Sequence, residues 1–407
     1  MEFLEVFAKG GFDCVIGNPP YVFGGNYGIE STEKNYFKNK YESGIGKVNL
    51  FTLLMEKSLK VLSQNGLLSF IIPNTFLRVT SYKKVREYLL NNSSIKQVID
   101  LGTGVFKGAI TSSIVIVIKN IIDQTNRINI SSGLNDSSFQ IKQSIFNNFD
   151  KGFVFNTTIS EFGLKLILKL DSNSVKLGNL CKELIFGVVI TKNIGDVIAK
   201  NKKGPFNKNF LEGRNITRYK INFDSKYLKY EKKLLHRSRT KEIFEANEKL
   251  LIQRITGGNR PVKVAYDNEQ FYNKESINNL IMNDDCDYSI KYILGLMNSK
   301  LISWFYKVQF TNESKLTVNL SKQYLSQIPI SKIDYDNIED KTSHDQMVAY
   351  VDTMLELNKK LPKVKMEHEK TVIQRQIDST DRKIDKLVYE LYDLTEEEIK
   401  IVEENGK

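Results

Sequence analysis

Phe12-Asp13-Cys14-Val15-Ile16-Gly17-Asn18-Pro19-Pro20-Tyr21 is the stretch on which the reading of this chain turns. Val15 and Ile16 are β-branched and suit a buried parallel strand, and Gly17 permits a tight exit. Two consecutive prolines fix φ and offer no N–H, so the polar groups left over face whatever lies beyond the strand's carboxyl end. That end is where open α/β sheets bind ligands. The following residues, Val22 to Lys47, are rich in Gly, Asn, Lys and Tyr and read as a long loop, a candidate lid.

Working outward, Val48 to Ser63 carries apolar residues at helical spacing and is punctuated by Asn65-Gly66, which predicts a helix. Leu67 to Pro73 reads as a buried strand, Thr80 or Ser81 as the cap of a helix through Leu90, and Ile95 to Leu101 and Ile114 to Lys119 as two more strands. The order indicates one half of a doubly wound α/β sheet with an edge hairpin, occupying residues 1–126. Residues 127–173 read as a connecting region. Residues 174–335 alternate short β-like runs (Leu184 to Thr191, Leu250 to Ile255, Val262 to Tyr266) with Lys/Asn/Gly loops, then a helix over Tyr288 to Phe305, and form a second domain. Residues 336–407 are helical, with Ile377, Ile384, Leu387, Val388 and Leu391 on one face and Thr395 as N-cap of a last helix.

The chain has 407 residues, long for one domain, and its 41% hydrophobic and 26% charged content is that of a soluble globular protein. Cys14, Cys181 and Cys286 lie far apart and are odd in number, which points to a reducing cytoplasm without disulfides. No apolar run approaches a membrane span. His236, His344 and His368 are scattered without metal-ligand spacing, so no metal site is expected. The net charge of +11 is concentrated: Lys200 to Lys263 holds 18 Lys or Arg against 6 Asp or Glu. Such a segment suits a polyanion, because each phosphate contact releases counterions, and it equally suits a solvated basic surface. Arg214, Arg218, Arg237, Arg239, Arg254 and Arg260 are its candidate DNA contacts. Thr256 to Arg260 reads as a hairpin tip reaching a groove, where Arg254 and Arg260 pair with guanine, or as a generic basic turn. Asp381-Arg382-Lys383 matches half of a nuclease signature and reads as a solvated helix face.

The motif Asn18-Pro19-Pro20-Tyr21 resembles that of the gamma-type adenine-N6 DNA methyltransferases, the group shared by Taq-type enzymes and type IIG restriction-modification proteins. The resemblance extends through Gly10 to Asp13, Asn49-Leu50-Phe51, Gly66 to Pro73, Phe76-Leu77 and Phe106. In the second half it runs through Asn298 to Leu301, Gln327 to Ile330 and Ile384 to Tyr392. It implies a partial Rossmann-like methyltransferase sheet, its C-terminal half, followed by a target-recognition domain for double-stranded DNA and closing helices. It also implies catalytic roles for Asn18, Pro19, Pro20 and Tyr21, with Tyr21 and Phe106 stacking on a flipped base. An adenine amine is a poor nucleophile because its lone pair is delocalised into the ring. The Asn18 side-chain carbonyl and the Pro19 backbone carbonyl are acceptors suited to its hydrogens, and stacking on Tyr21 offsets about 1–3 kcal/mol of unstacking.

One departure matters. The family holds S-adenosylmethionine on a glycine-rich loop that precedes the motif, and only eleven residues precede Phe12 here. Asp100-Leu101-Gly102-Thr103-Gly104 has the form of a nucleotide loop but runs into a β-branched segment instead of a helix, so it reads as a hairpin connection. The cofactor-binding motif is thus expected to be absent from this chain, which is either a truncated gene product or completed by an upstream polypeptide, and the chain alone is expected not to bind S-adenosylmethionine. The alternative reading is a catalytically inert DNA-recognition subunit, or a remnant of a type IIG protein.

Overall fold

The computed structural model describes residues 3–22, 28–45, 48–106, 112–134, 138–147, 155, 160–191, 194–310 and 317–404. The chain divides into two compact units, residues 1–168 and 169–407.

The first unit is built on a six-stranded mixed sheet. In chain order its strands are β1 (Phe12–Gly17), β2 (Leu62–Pro73), β3 (Ser94–Gly102), β4 (Ser113–Lys119), β5 (Arg127–Ser131) and β6 (Ser138–Lys142), arranged β1-β2-β4-β3-β5-β6. β1 runs parallel to β2, and β4 is antiparallel to both β2 and β3. Alternation decides the core: Leu68, Phe70 and Ile72 of β2 stand opposite Ile118, Ile116 and Ile114 of β4, all buried. Each such side chain contributes about 1.5–3 kcal/mol on burial. The helices α1 (Leu4–Ala8), α2 (Ser31–Lys40), α3 (Leu50–Val61) and α4 (Lys83–Asn92) accompany the sheet.

Several expectations are corrected here. Residues 31–40, read as loop, are helical. α2 buries none of its residues, so it shows no apolar periodicity, and its start is written instead in a capping box between Glu30 and Glu33. Asn65-Gly66 does not end α3, which stops at Val61; the pair sits inside β2, Asn65 at φ 69, exchanging backbone bonds with Asn120. Residues 127–142, read as connection, extend the sheet as β5 and β6.

The second unit holds a four-stranded antiparallel sheet of β7 (Cys181–Phe186), β8 (Lys249–Gln253), β9 (Val264–Asp267) and β10 (Ile277–Met282), ordered β9-β8-β10-β7. A second small sheet joins Tyr272–Asn273, Lys208–Leu211, Tyr227–Leu228 and Ile198–Ala199. Around it packs a core in which Phe244 stacks on Tyr272 at 4.4 Å. The predicted helix over Tyr288 to Phe305 is two helices, α5 (Ile290–Met297) and α6 (Lys300–Phe310). The break falls at Asn298, whose side-chain amide accepts from Val264 N and donates to Val264 O, so it acts as a strand partner for β9.

Three more helices follow: α7 (Ile338–Lys360), α8 (Glu367–Leu391) and α9 (Glu396–Glu404). Thr395 caps α9 in a reciprocal pair with Glu398. α8 is tied to the rest of the unit by an ion network. Asp381 pairs with Arg218 and Arg260, and Asp385 with Arg260 while accepting from Lys300 N at 2.8 Å. Lys300 and Tyr389 both meet Glu403. Asp381 is therefore turned inward, and only Arg382 and Lys383 of that triplet form the solvated face expected of all three.

Glu56 anchors the chain beyond α2. Its fully buried carboxylate accepts from Glu42 N, Ser43 N, Ser43 Oγ and Lys60 Nζ. Burial raises its pKa, but the Lys60 and Ser43 donors outweigh that and hold it below the ordinary glutamate range. A depressed folded value means this stabilisation is complete at neutral pH and fades as pH falls through that value. Glu56→Ala is expected to cost about 2–3 kcal/mol at neutral pH, from donors left unmet, and distinctly less in acid, as read by urea unfolding. In the second unit, Asp385→Ala should cost about 1–3 kcal/mol in the same assay, because Arg260 Nη2 and Lys300 N lose their acceptor while Asp381 still holds Arg260.

Candidate functional site

The parallel register of Gly17 with Phe70 and the antiparallel registers of Pro73 and Gly102 with Ser113 send three loops off one end of the first sheet. These are Asn18 to Val22 after β1, Asn74 to Leu77 after β2, and Thr103 to Phe106 after β3. Asn18 and Pro20 are exposed and Pro19 is buried. Among the described residues, neither the Asn18 amide nor the Pro19 carbonyl has a hydrogen-bond partner, so two acceptors stand side by side unclaimed.

Tyr21 is held at its hydroxyl and at its ring. Its hydroxyl donates to Ile71 O at 2.9 Å, its ring meets Phe51 edge-on at 6.2 Å, and burial raises its phenol pKa. Phe51 is itself fixed at the start of α3, where the Asn49 side chain caps Phe51 N, and the ring packs against Phe76 and Tyr82. The next turn is docked by Leu50 N on Val22 O at 3.1 Å. Thus Asn49-Leu50-Phe51 serves as the buttress of the loop that follows β1.

Phe106 is half-buried on the loop leaving β3. β1 and β3 are three strand spacings apart in the sheet, roughly 14 Å, so the structure brings Tyr21 and Phe106 to the same end without ring contact between them. Asp100 to Gly104 is the hairpin connection expected: Asp100 pairs with Ile114 across the antiparallel ladder, its carboxylate accepts from Gly102 N at 3.0 Å, and the next element among the described residues is β4. Among the described residues, no group of His, Cys, Asp or Glu is arranged to hold a metal ion, and no helix is long and apolar enough to cross a membrane.

The basic segment of the second unit is less free than its composition suggests. Lys208, Arg214, Arg218, Lys226, Lys229, Lys233, Lys249 and Arg260 each have a carboxylate within 4.0 Å. Arg218 and Arg260, expected to face DNA, face α8 instead, and Lys249 is buried with Asp267. The Thr256 to Arg260 loop therefore ends on the protein, with Gly258 and Asn259 as its exposed tip. Arg214 remains largely exposed beside Glu212 and Asp224.

Arg237, Arg239 and Arg254 differ: among the described residues none of them has a carboxylate partner. Arg237 is exposed. The Arg239 and Arg254 guanidiniums lie 4.3 and 5.0 Å from the centre of one ring, Phe186, at the end of β7. Phe186 went unremarked in the sequence, where nothing nearby signals that two arginines from distant loops converge on it.

The comparisons follow the same division. Residues 1–106 match the family described as Eco57I restriction-modification methylase, and residues 208–330 match the TaqI-like C-terminal specificity domain. The putative type II restriction enzyme and methyltransferase RM.MjaORFECS2P of Methanocaldococcus jannaschii is 27% identical over 75% of this chain and 26% of its own length. RM.Eco57I, a type II restriction enzyme and methyltransferase of Escherichia coli, is 22% identical over 94% of this chain and 46% of its own length. The chain thus spans less than half the length of either relative. Among solved structures, the type IIL restriction-modification enzyme MmeI, in complex with DNA, shares the fold with a TM-score of 0.58 at 13% identity, covering 96% of this chain and 56% of that one. One polypeptide thus carries an Eco57I-type methylase match followed by a TaqI-like specificity-domain match.

Proposed function

We propose that this chain holds the target base and reads the duplex for adenine-N6 methylation of DNA in a restriction-modification or phage-defence system of the cytoplasm. The observation that carries the reading is the pair of unclaimed acceptors, the Asn18 side-chain oxygen and the Pro19 carbonyl, beside a tyrosine ring fixed by Ile71 O and Phe51. Accepting both amine hydrogens draws the exocyclic nitrogen toward tetrahedral geometry and frees its lone pair. Pro20 contributes by rigidity, since a second ring without N–H leaves nothing local to compete for those acceptors. Tyr21, with Phe106 brought over from the β3 loop, gives an extruded adenine a stacking surface.

In this reading the first unit is the C-terminal half of a Rossmann-like methyltransferase sheet, and the second is the target-recognition domain with its closing helices. S-adenosylmethionine is the methyl donor that such chemistry uses. The described residues do not fit it, because the Asp100 to Gly104 stretch is a hairpin and no other strand opens through glycines onto a helix. We therefore assign the donor's pocket to a segment outside the described residues, on this polypeptide or on an upstream one. Support comes from β1, which among the described residues has a neighbour strand on one side only and shows Ile16 80% exposed. A strand added there would be hydrogen-bonded along its whole length. The DNA contacts fall to Arg214, Arg237, Arg239 and Arg254, while Arg218 and Arg260 are left to the ion network around α8.

Labelled methyl transfer to adenine in duplex DNA is expected when the chain is combined with the segment carrying the glycine-rich loop, and Asn18→Ala should lower its rate about 100-fold or more. Labelling that survives this substitution, or never appears with the segment present, would favour a DNA-recognition subunit without catalysis. Binding of the chain to duplex DNA should weaken roughly 1000-fold or more between about 50 and 200 mM salt, as gel-shift titration would read.

A further inference from the structure

Arg237, Arg239 and Arg254 of the basic segment have no carboxylate within 4.0 Å among the described residues, and two of them rest on the same aromatic ring. We propose that Phe186 is a positioning residue that fixes Arg239 and Arg254 as a guanine-reading pair for the major groove of the target duplex, an inference that rests on the DNA-recognition reading above.

The backbone that carries Phe186 is unusually constrained. A Cβ on Gly187 would lie 2.1 Å from Asn273 O, so only glycine allows this approach. Asn273 and Asn279, both buried, exchange amide hydrogen bonds at 2.6 and 3.0 Å, and Asn279 also donates to Ile185 O. The ring is thereby set on a fixed support. Arg239 is laid over it by donating Nε to Phe186 O at 2.8 Å. Arg254 reaches the same ring while donating Nη1 to Glu275 O at 3.3 Å, and Glu275 is itself tied to Val188 O.

Counting donors shows what remains. A guanidinium carries five N–H groups. Arg239 uses one on Phe186 O and one, at 3.4 Å, on Ser238 O; Arg254 uses one. Each keeps a two-donor edge, the arrangement that pairs with guanine O6 and N7. A phosphate asks only for positive charge and accepts it from many directions, as the flexible lysines of this segment supply it. Holding a guanidinium flat on a ring adds direction, which matters for a base edge. Placing like charges together has a cost: burial, and then the charge of Arg237, lower the Arg239 pKa, and Tyr230 and Glu183 offset this only in part. Arg214, Arg218 and Arg260 of the same basic segment are all given carboxylates, and Arg237, Arg239 and Arg254 are not.

The test is selection of bound sites from random duplex by the full 407-residue chain, comparing the parent with Phe186→Leu, Phe186→Tyr, Arg239→Lys and Arg254→Lys. The parent should select a consensus containing guanine. Phe186→Leu and either lysine variant should lose roughly 10- to 100-fold of the preference for guanine at one or two positions. Phe186→Tyr should retain it, and affinity for bulk DNA at low salt should persist in all of them. The lysine variants preserve charge on the surface, so they report even if Phe186→Leu folds poorly. A consensus unchanged in the lysine variants, or a uniform loss across all sequences with a shallower salt dependence, overturns the proposal alone. A parent chain that binds DNA without selecting any consensus overturns the recognition reading and this inference together.

Discussion

The parallel pairing of Phe12–Gly17 with Leu62–Pro73 fixes the direction in which the rest of the first unit is used. Because β1 and β2 run the same way and β4 returns against both β2 and β3, the loops after β1, β2 and β3 must leave from one end of the sheet. The chain spends its least adaptable residues at that end. Pro19 and Pro20 cannot turn back into the ladder, and Tyr21 is pinned by a carbonyl of the neighbouring strand, so acceptors that would otherwise be consumed locally stay available.

Charge is organised by the same economy of partners. Carboxylates removed from water at Glu56, Asp267 and Asp385 are each surrounded by donors, and each ties distant stretches of chain together. The cations opposite them are structural in consequence. What is left for an outside polyanion is therefore smaller than the composition of Lys200 to Lys263 implies, and more localised. Lys249, at the centre of the basic segment by sequence, lies wholly inside the protein.

Much of the first unit was legible because its strands are β-branched runs whose neighbours repeat the same alternation. The motif Asn18 to Tyr21 was legible because proline and asparagine restrict what a strand end can do. α2 was not, since a helix without a buried face leaves no periodic signal and only Glu30 and Glu33 announce it. The break at Asn298 depends on Val264, and the fate of Arg218 and Arg260 depends on Asp381 and Asp385, more than a hundred residues further along. Local reading cannot anticipate partners that only the folded chain brings near. Phe186 belongs to the same class: its surroundings come from Arg239, Arg254 and Gly187 through three different loops.

The single-sided β1 has a practical side as well. Its row of backbone groups, open among the described residues and marked by the exposed Ile16, carries neither lysine nor proline to blunt it, and Asp13 is the one charge along it. Such an edge is a template on which copies of the same chain extend one another's sheets. In concentrated stocks the purified chain is thus inclined toward self-association through β1. A strand seated on that edge would shield its open backbone groups and so keep the chain apart from its copies.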